Sequence, residues 1–344
     1  MGLIEEGKRI YSFDLLKILL SFSVVFHHLH GALDNDYWFF WSNNITPIFM
    51  CLSFWLVEPA ISCCDTKKIL IRIKKLFTPM WFWALIYGGG YWIIQKTTGT
   101  KLINGISDVL WQMIMGNSET LNKSMWFHFC LLWITIILFL AVYHAPQIHK
   151  DLWVAILFLL ALFMQYSSIN YTLCSQMNYP MMNPMGRLME MLPCAITGYI
   201  LRRYNIYESF KKDRMSIMIF AIGILAFIFL YFRESKIPGF WTQGISHVFV
   251  SAIVVMVMYY FQDLLILIDK STVIKKIILT VSQYTLGIYC MHRFVGVFLN
   301  VVFYGKEPNE KISFIGCVFV FAICWFVSYM IDHIPISIIK QSIK

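Results

Sequence analysis

Residues 11–30 read YSFDLLKILLSFSVVFHHLH, an apolar run that also contains one aspartate, one lysine and three histidines. About 20 mostly apolar residues are enough for a helix to cross a bilayer, because a helix satisfies its own backbone polar groups there. Each ionisable side chain inside such a helix costs roughly 2.5–3.5 kcal/mol on insertion scales. The run therefore predicts a membrane helix whose charged side chains serve a function.

The rest of the chain has the same apolar character. Of its 344 residues, 59% are hydrophobic and only 14% are charged, whereas soluble chains carry roughly 25% charged residues. This composition excludes a cytosolic enzyme, a disordered scaffold and a secreted disulfide protein, and it predicts an all-α polytopic membrane bundle. Ten apolar segments of spanning length can be placed, at 11–30, 38–57, 76–95, 125–144, 152–169, 185–203, 215–232, 241–261, 277–303 and 312–333. The second of them is interrupted by Asn43, Asn44 and Pro47.

The formal net charge of +9 follows the predicted topology. With ten spans and the N-terminus inside, 18 Lys and Arg residues fall in inner segments and 7 in outer ones, so both termini are expected in the cytoplasm. The cations are scattered between apolar segments and form no basic stripe, so nucleic acid is not an expected partner. No internal repeat relates two halves of the chain, which counts against the common repeat-built transporters. We expect one domain over residues 1–344, surrounded by membrane lipids, with an interfacial helix in the outer loop 96–124.

Polar residues of the first segment lie on one side of a helix. At 100° per residue, four of them fall within an arc of about 60°: Asp14, Lys17, Ser21 and His28. The other two histidines of the segment lie about 100° and 160° away from His28, so His28 is the candidate proton acceptor. Asp14 lies about 21 Å from His28 along the axis, so it cannot orient the imidazole. It can instead pair with Lys17, three residues later.

A cluster of cations precedes the third segment. Residues 67–75 read KKILIRIKK and hold five cations at the predicted inner surface. One interpretation is a positively charged loop that contacts anionic lipid headgroups. The other is a phosphate-binding patch, with Arg72 and Lys75 on one helical face and Lys74 beside them. Charge alone does not decide between the two interpretations.

Two further polar pairs lie in the predicted outer half of the membrane. His292 and Arg293, in the ninth segment, are at a depth comparable to that of His28. They either contact an acceptor or an oxyanion, or only make a cavity polar. Arg187 and Glu190, three residues apart in the sixth segment, either neutralise each other or bind a glycan or a lipid phosphate.

The order and spacing of these residues resemble the acyltransferase 3 family of integral-membrane acyltransferases. The first-helix signature of that family is an Asp, an Arg three residues later and a His eleven residues further on. Asp14, Lys17 and His28 match its spacing, with Lys in place of Arg. An Arg-x-x-Arg motif of the family is similar to residues 72–79, RIKKLFTP, again with Lys in the second basic position. A lysine offers a point charge where arginine offers a bidentate fork.

Two more segments carry the same resemblance. The second-span pattern of the family is similar to residues 49–56, FMCLSFWL, with Phe54 in place of a glycine. Its Thr-x-Gly-Ile-Tyr-x-x-His segment resembles residues 284–292, YTLGIYCMH. Some relatives carry a soluble domain after the last span; this chain ends at Lys344, so no such appended domain is expected.

The resemblance implies transfer of an acyl group, most often acetyl, from cytoplasmic acyl-CoA to a hydroxyl of a surface polysaccharide or lipid-linked oligosaccharide. It further implies an integral protein of the plasma membrane, the inner membrane in a bacterium, with acetyl-CoA as co-substrate and no metal. His28 would act as a base or become acylated itself, and Asp14 and Lys17 would shape the entry to it. The CoA phosphates would be held by three cations at the inner mouth, Arg72, Lys74 and Lys75.

Two functions of other classes also fit the sequence. A transporter or flippase of a lipid-linked glycan would use Arg187, Arg293 and the polar stripe to hold its substrate, and it would need no cytoplasmic donor. A non-catalytic membrane sensor is the third possibility. Transfer of label from acetyl-CoA distinguishes the acyltransferase from both.

Overall fold

The structure is a computed structural model, and it describes nine parts of the chain. They are residues 10–30, 36–105, 107, 126–145, 149–166, 182–206, 242–264, 272–308 and 310–334. Within these parts the regular secondary structure is entirely helical. The predicted all-α fold class is confirmed.

Ten α-helices and one π-helical segment form the described structure. They are α1 (Tyr11–Leu29), α2 (Asp36–Ser62), α3 (Thr66–Thr98), α4 (Trp126–His144), α5 (Lys150–Tyr166), α6 (Met182–Arg203), α7 (Thr242–Leu264), α8 (Thr272–Gln283), α9 (Thr285–Phe298), the π-helical segment Leu299–Phe303, and α10 (Phe314–Asp332).

Most of the predicted segments coincide with these helices. The ninth is divided at Tyr284 into α8 and α9, while the seventh, 215–232, and most of the loop 96–124 lie outside the described residues. In the described parts, five stretches are long and apolar enough to cross a membrane: Tyr11–Leu29, Asn43–Ser62, Trp126–His144, Thr285–Phe303 and Phe314–Asp332. The chain is thus an all-α membrane protein, and the count of ten spans with its orientation stays a prediction.

The second predicted segment is one continuous helix despite its polar interruption. α2 runs through Pro47 and also through Pro59. Proline is tolerated in a membrane helix where neighbouring helices satisfy the freed backbone groups. α2 packs closely on α6, and a Cβ at Gly198 would collide with the Cys51 carbonyl oxygen. Small residues at helix contacts permit this backbone approach in membranes.

Helix α1 occupies the centre of the bundle, whereas α10 lies at its edge. α1 packs against α2, α7, α8, α9 and α10, and 61% of its apolar window is buried. Only 22% of the corresponding window of α10 is buried, with Ile315 and Phe319 among its exposed side chains. A lipid-facing surface is expected for α10. The central position of α1 explains how its polar side chains avoid lipid.

Helix α3 begins ten residues before the predicted third segment. Asp65 caps it, because its side chain accepts a hydrogen bond from the Lys68 amide at 3.0 Å. This hydrogen bond holds the pKa of the Asp65 carboxyl below its usual value. The early start places the cations of residues 67–75 on a continuous helix rather than in a loop.

Candidate functional site

The polar stripe of α1 faces the interior of the bundle. Asp14 is 3% exposed and Ser21 is 1% exposed. The Lys17 Nζ lies 3.2 Å from Asp14 Oδ1, so the ion pair expected from the spacing is present. Lys17 keeps 29% of its side chain exposed, and it is the member of the pair that lines a cavity described below.

His28 contacts α9 near the other end of α1. Arg293 Nη2 lies 3.0 Å from His28 Nδ1. Because a guanidinium can only donate, Nδ1 of His28 is the acceptor and carries the lone pair. Two residues that the sequence places 265 positions apart are therefore hydrogen-bonded at the same level of the bundle.

His292 packs on the face of the same histidine. The His28 and His292 rings are stacked, with centroids 5.3 Å apart and planes 14° apart. His292 Nδ1 lies 2.8 Å from the Tyr289 carbonyl oxygen and 3.3 Å from that of Ile288. Carbonyl oxygens only accept, so Nδ1 carries the hydrogen and Nε2 of the neutral ring is the acceptor. Nε2 is buried and bonds to none of the described residues.

The other two histidines of the first segment, His27 and His30, make different contacts. His30 Nδ1 lies 2.7 Å from the Ile312 carbonyl oxygen, and its ring stacks on Phe26 at 4.6 Å. His30 therefore ties the end of α1 to the segment before α10. The His27 ring is tilted against that of His28 at 5.2 Å. His27 Nδ1 is buried and has no hydrogen-bond partner within the described parts.

A cavity of about 150 Å³ lies between α1, α2, α4 and α9. Its wall includes Lys17, Ser53, His128 and Tyr289. The Tyr289 ring is 6.0 Å from that of His292, so the cavity ends one aromatic ring away from the histidine pair. Its wall thus includes Lys17 of the ion pair and Tyr289, the neighbour of His292.

His128 is a lining residue that sequence reasoning missed. It is 1% exposed on α4, and its ring lies 5.2 Å from that of Tyr289. Its Nε2 is 4.0 Å from Cys290 Sγ, and its Nδ1 is buried and bonded to none of the described residues. The sequence does indicate His128, because it is an ionisable residue inside an apolar segment and such residues are functional candidates by default.

The cations at the start of α3 do not share one environment. Arg72 turns inward, where Nη2 donates to Ser53 Oγ at 2.7 Å and Nε donates to Thr135 Oγ1 at 3.1 Å. Lys74 and Lys75 are exposed. Ser53 also lines the cavity. The Arg72 guanidinium is therefore hydrogen-bonded to a residue of the cavity wall.

Arg187 and Glu190 form a separate polar group on α6. Arg187 Nη1 lies 2.7 Å from Glu190 Oε2, and the guanidinium lies over the Trp126 ring at 5.4 Å. His247 Nδ1, on α7, is 3.8 Å from the other carboxylate oxygen of Glu190. The pair thus has the mutual neutralisation that its spacing allows.

A family model described as acyltransferase domain, that of acyltransferase 3, matches residues 10–330. The chain belongs to the acyltransferase 3 family. Comparison with curated proteins and with solved structures gave no match. Membership of this family and the apolar helices make the protein a membrane acyltransferase.

The acyltransferase 3 match covers every residue of the site. It includes the α1 stripe, the cations at the start of α3 and the α9 turn with His292 and Arg293. Among the described residues, no three His, Cys, Asp or Glu side chains are grouped as metal ligands would be. The site combines an imidazole and a guanidinium in contact with each other, and a nearby cavity lined in part by Tyr289.

Proposed function

We propose that this protein is an O-acyltransferase that moves an acetyl group from cytoplasmic acetyl-CoA to a hydroxyl of a surface polysaccharide or lipid-linked glycan. The observation that carries the proposal is the contact between Arg293 and His28. Acyl transfer to a hydroxyl needs a proton acceptor for the hydroxyl and a positive group for the oxyanion. These two groups are adjacent here, in a chain of an acyltransferase family.

The donor would bind at the inner mouth. Arg72, Lys74 and Lys75 would bind the CoA phosphates, with Arg72 supplying a planar fork and the lysines supplying point charges. Arg72 is held by two hydroxyls, and one of them, that of Ser53, lines the cavity. The acyl end of the donor would then enter the cavity past Lys17, whose position is fixed by its ion pair with Asp14.

The reaction would begin when the acceptor hydroxyl displaces Arg293 from His28. The hydroxyl donates its hydrogen to Nδ1, the nitrogen that carries the lone pair. The released guanidinium turns to the carbonyl oxygen of the thioester. As the hydroxyl oxygen bonds to the carbonyl carbon, Nδ1 takes the proton and Arg293 stabilises the negative oxygen.

Collapse of that intermediate completes the transfer. The carbon–sulfur bond breaks, CoA leaves as the thiolate, and His28 returns its proton to the sulfur. The products are the acetyl ester and CoA thiol, and the imidazole is again neutral. In the other route His28 is acylated first and the hydroxyl attacks the acyl-imidazole; the same residues serve both routes.

The outer polar groups would orient the acceptor. His292 Nε2 is buried with its lone pair available among the described residues, so it can accept a hydrogen bond from a second hydroxyl of a sugar.

The test is transfer of label from radiolabelled acetyl-CoA in membranes that contain the protein. His28→Ala should lower transfer to glycan or lipid by about 10²–10⁴-fold, the usual contribution of a positioned base. His27→Phe is the matched control, because it keeps a ring beside His28 and removes a nitrogen without a partner in the described parts. Unchanged transfer by His28→Ala would contradict the mechanism. Movement of a glycan without any labelled product would favour a flippase.

A further inference from the structure

The hydroxyl of Tyr87 lies within the backbone ladder of the helix that carries His292 and Arg293. It donates to the Cys290 carbonyl oxygen at 2.6 Å and accepts from the Phe294 amide at 3.1 Å. These two backbone groups are four residues apart, and in an undistorted α-helix they bond to each other. The hydroxyl of an α3 side chain therefore bridges the two backbone groups of one hydrogen-bonding position of α9.

Close packing of α3 on α9 makes this bridge possible. Tyr87 is fully buried, and its ring meets that of Phe294 edge to face, with centroids 5.5 Å apart. One turn later, a Cβ at Gly90 would collide with the Phe294 ring. The absence of that atom lets the two helices approach until the phenol reaches the α9 backbone.

The turn that Tyr87 bridges is the one that faces His28. His292 and Arg293 lie between Cys290 and Phe294, and they supply the stacked ring and the guanidinium described above. A group inserted into the i→i−4 ladder bends a helix locally. Both side chains leave α9 from the turn that the Tyr87 hydroxyl bridges.

We propose that Tyr87 is a positioning residue for acyl transfer. Its hydroxyl bridges the Cys290 carbonyl and the Phe294 amide and so fixes this turn, with Arg293 at Nδ1 of His28 and His292 stacked on the same ring. This role rests on the proposed function of His28 and Arg293. Tyr87 itself does not touch the reacting atoms.

Tyr87→Phe removes the hydroxyl and keeps the ring. The Cys290 carbonyl and the Phe294 amide can then bond to each other. The variant therefore loses the bridging hydroxyl without leaving a buried polar atom unpaired. Tyr91→Phe is the matched control. Tyr91 is also fully buried on α3 and packs on Phe294 at 5.6 Å, but its hydroxyl bonds to none of the described residues.

Steady-state kinetics in membranes should separate the two tyrosines. A displacement of about 1 Å in a reacting geometry can cost about 10²-fold, so we expect Tyr87→Phe to lower kcat by roughly 10- to 100-fold. The KM for acetyl-CoA should change less than about twofold, because the donor site is at the other end of the cavity. Tyr91→Phe should keep kcat within about twofold of the wild type.

The decisive measurement repeats Tyr87→Phe in an Arg293→Gln background. If the hydroxyl acts by placing Arg293, its removal should have little further effect once the guanidinium is gone, whereas a general packing defect would persist. The proposal is overturned by an unchanged kcat in Tyr87→Phe, by an equal loss in Tyr91→Phe, or by the same loss in both backgrounds.

The outcome is separate from the test of the proposed function. An active His28→Ala together with an impaired Tyr87→Phe overturns the role of His28 as the base. An inactive His28→Ala together with a fully active Tyr87→Phe overturns the positioning role alone.

Discussion

Arg293 and Arg187 occupy helices of the same bundle, but their partners differ. Arg187 lies 2.7 Å from a carboxylate oxygen of Glu190. Arg293 lies 3.0 Å from an imidazole nitrogen of His28, and it takes part in none of the ion pairs found among the described residues. Its Nε is buried and has no hydrogen-bond partner in those parts of the chain.

Arg187 is neutralised within the protein, whereas in the proposed function the charge of Arg293 serves the substrate. An ion pair lowers the cost of embedding a cation, because each charge compensates the other. A guanidinium beside a neutral imidazole keeps its full charge, and the effective cost of burying an ion is several kcal/mol. Such a cost is retained at sites where a negative group forms or binds. The oxyanion of acyl transfer is such a group.

Among the substitutions that test this comparison of arginines, the largest effect should follow from Arg293→Gln. Loss of one oxyanion donor typically lowers kcat by about 10²–10³-fold, and we expect a fall of that size in acetyl transfer. The initial rate of label transfer to glycan measures it, with the amount of inserted protein checked by detergent extraction.

Arg187→Gln is the control for that substitution. Both changes remove a guanidinium from a helix of the bundle, so a general effect of charge would appear in both. Equal losses of transfer in the two variants would show that Arg293 and Arg187 do not differ in their contribution to the reaction.

Arg72 extends the comparison to the inner mouth, where an arginine bonds to two hydroxyls. Its charge is also available to an anion, and we expect Arg72→Ala to raise the dissociation constant for CoA about tenfold. Hydrogen bonds to charged groups contribute about 1.5–3 kcal/mol, and 1.4 kcal/mol corresponds to tenfold in affinity. Equilibrium binding of labelled CoA to purified protein measures the effect.

Lys74→Ala is the matched change on an exposed neighbour. A screened surface cation contributes less, so its effect on CoA affinity should be smaller than that of Arg72→Ala. Normal CoA affinity in Arg72→Ala would remove this residue from the donor site.

Sequence alone was sufficient for features that depend on helical geometry within one segment. The 100° periodicity placed Asp14 and Ser21 on the buried side of α1, and i, i+3 spacing predicted the Asp14–Lys17 and Arg187–Glu190 pairs. Runs of apolar residues gave the fold class, because a bilayer requires a minimum helix length. All of these are local properties of the chain.

Contacts between helices could not be predicted in the same way. The bond between His28 and Arg293 requires α1 and α9 to pack at a particular height and rotation, and neither appears in the pattern of either segment. The inward turn of Arg72 depends on hydroxyls of two other helices. The bridge from Tyr87 to α9 depends on the small volume of Gly90, which the sequence does not connect with Phe294. Sequence reasoning found His28, Arg293 and Arg72 as candidates, but it missed His128 and could not predict how these residues are arranged.

The smallest effect should come from Glu190→Gln, which makes Arg187 resemble Arg293 by removing its carboxylate. The side chains are 43% and 21% exposed, so solvent screens the uncompensated charge. The coupling between the two residues should then be about 0.2–1 kcal/mol, the range of exposed ion pairs. A double-mutant cycle with Arg187→Gln, followed by thermal unfolding in detergent, measures it. Acetyl transfer should stay within about twofold of the wild type, because the ion pairs described for Arg187 and Glu190 involve neither His28 nor Arg293. A large loss of transfer in Glu190→Gln with unchanged stability would instead indicate that this pair contacts the glycan. Both arginines would then bind substrate, and they would differ in which group of it they contact.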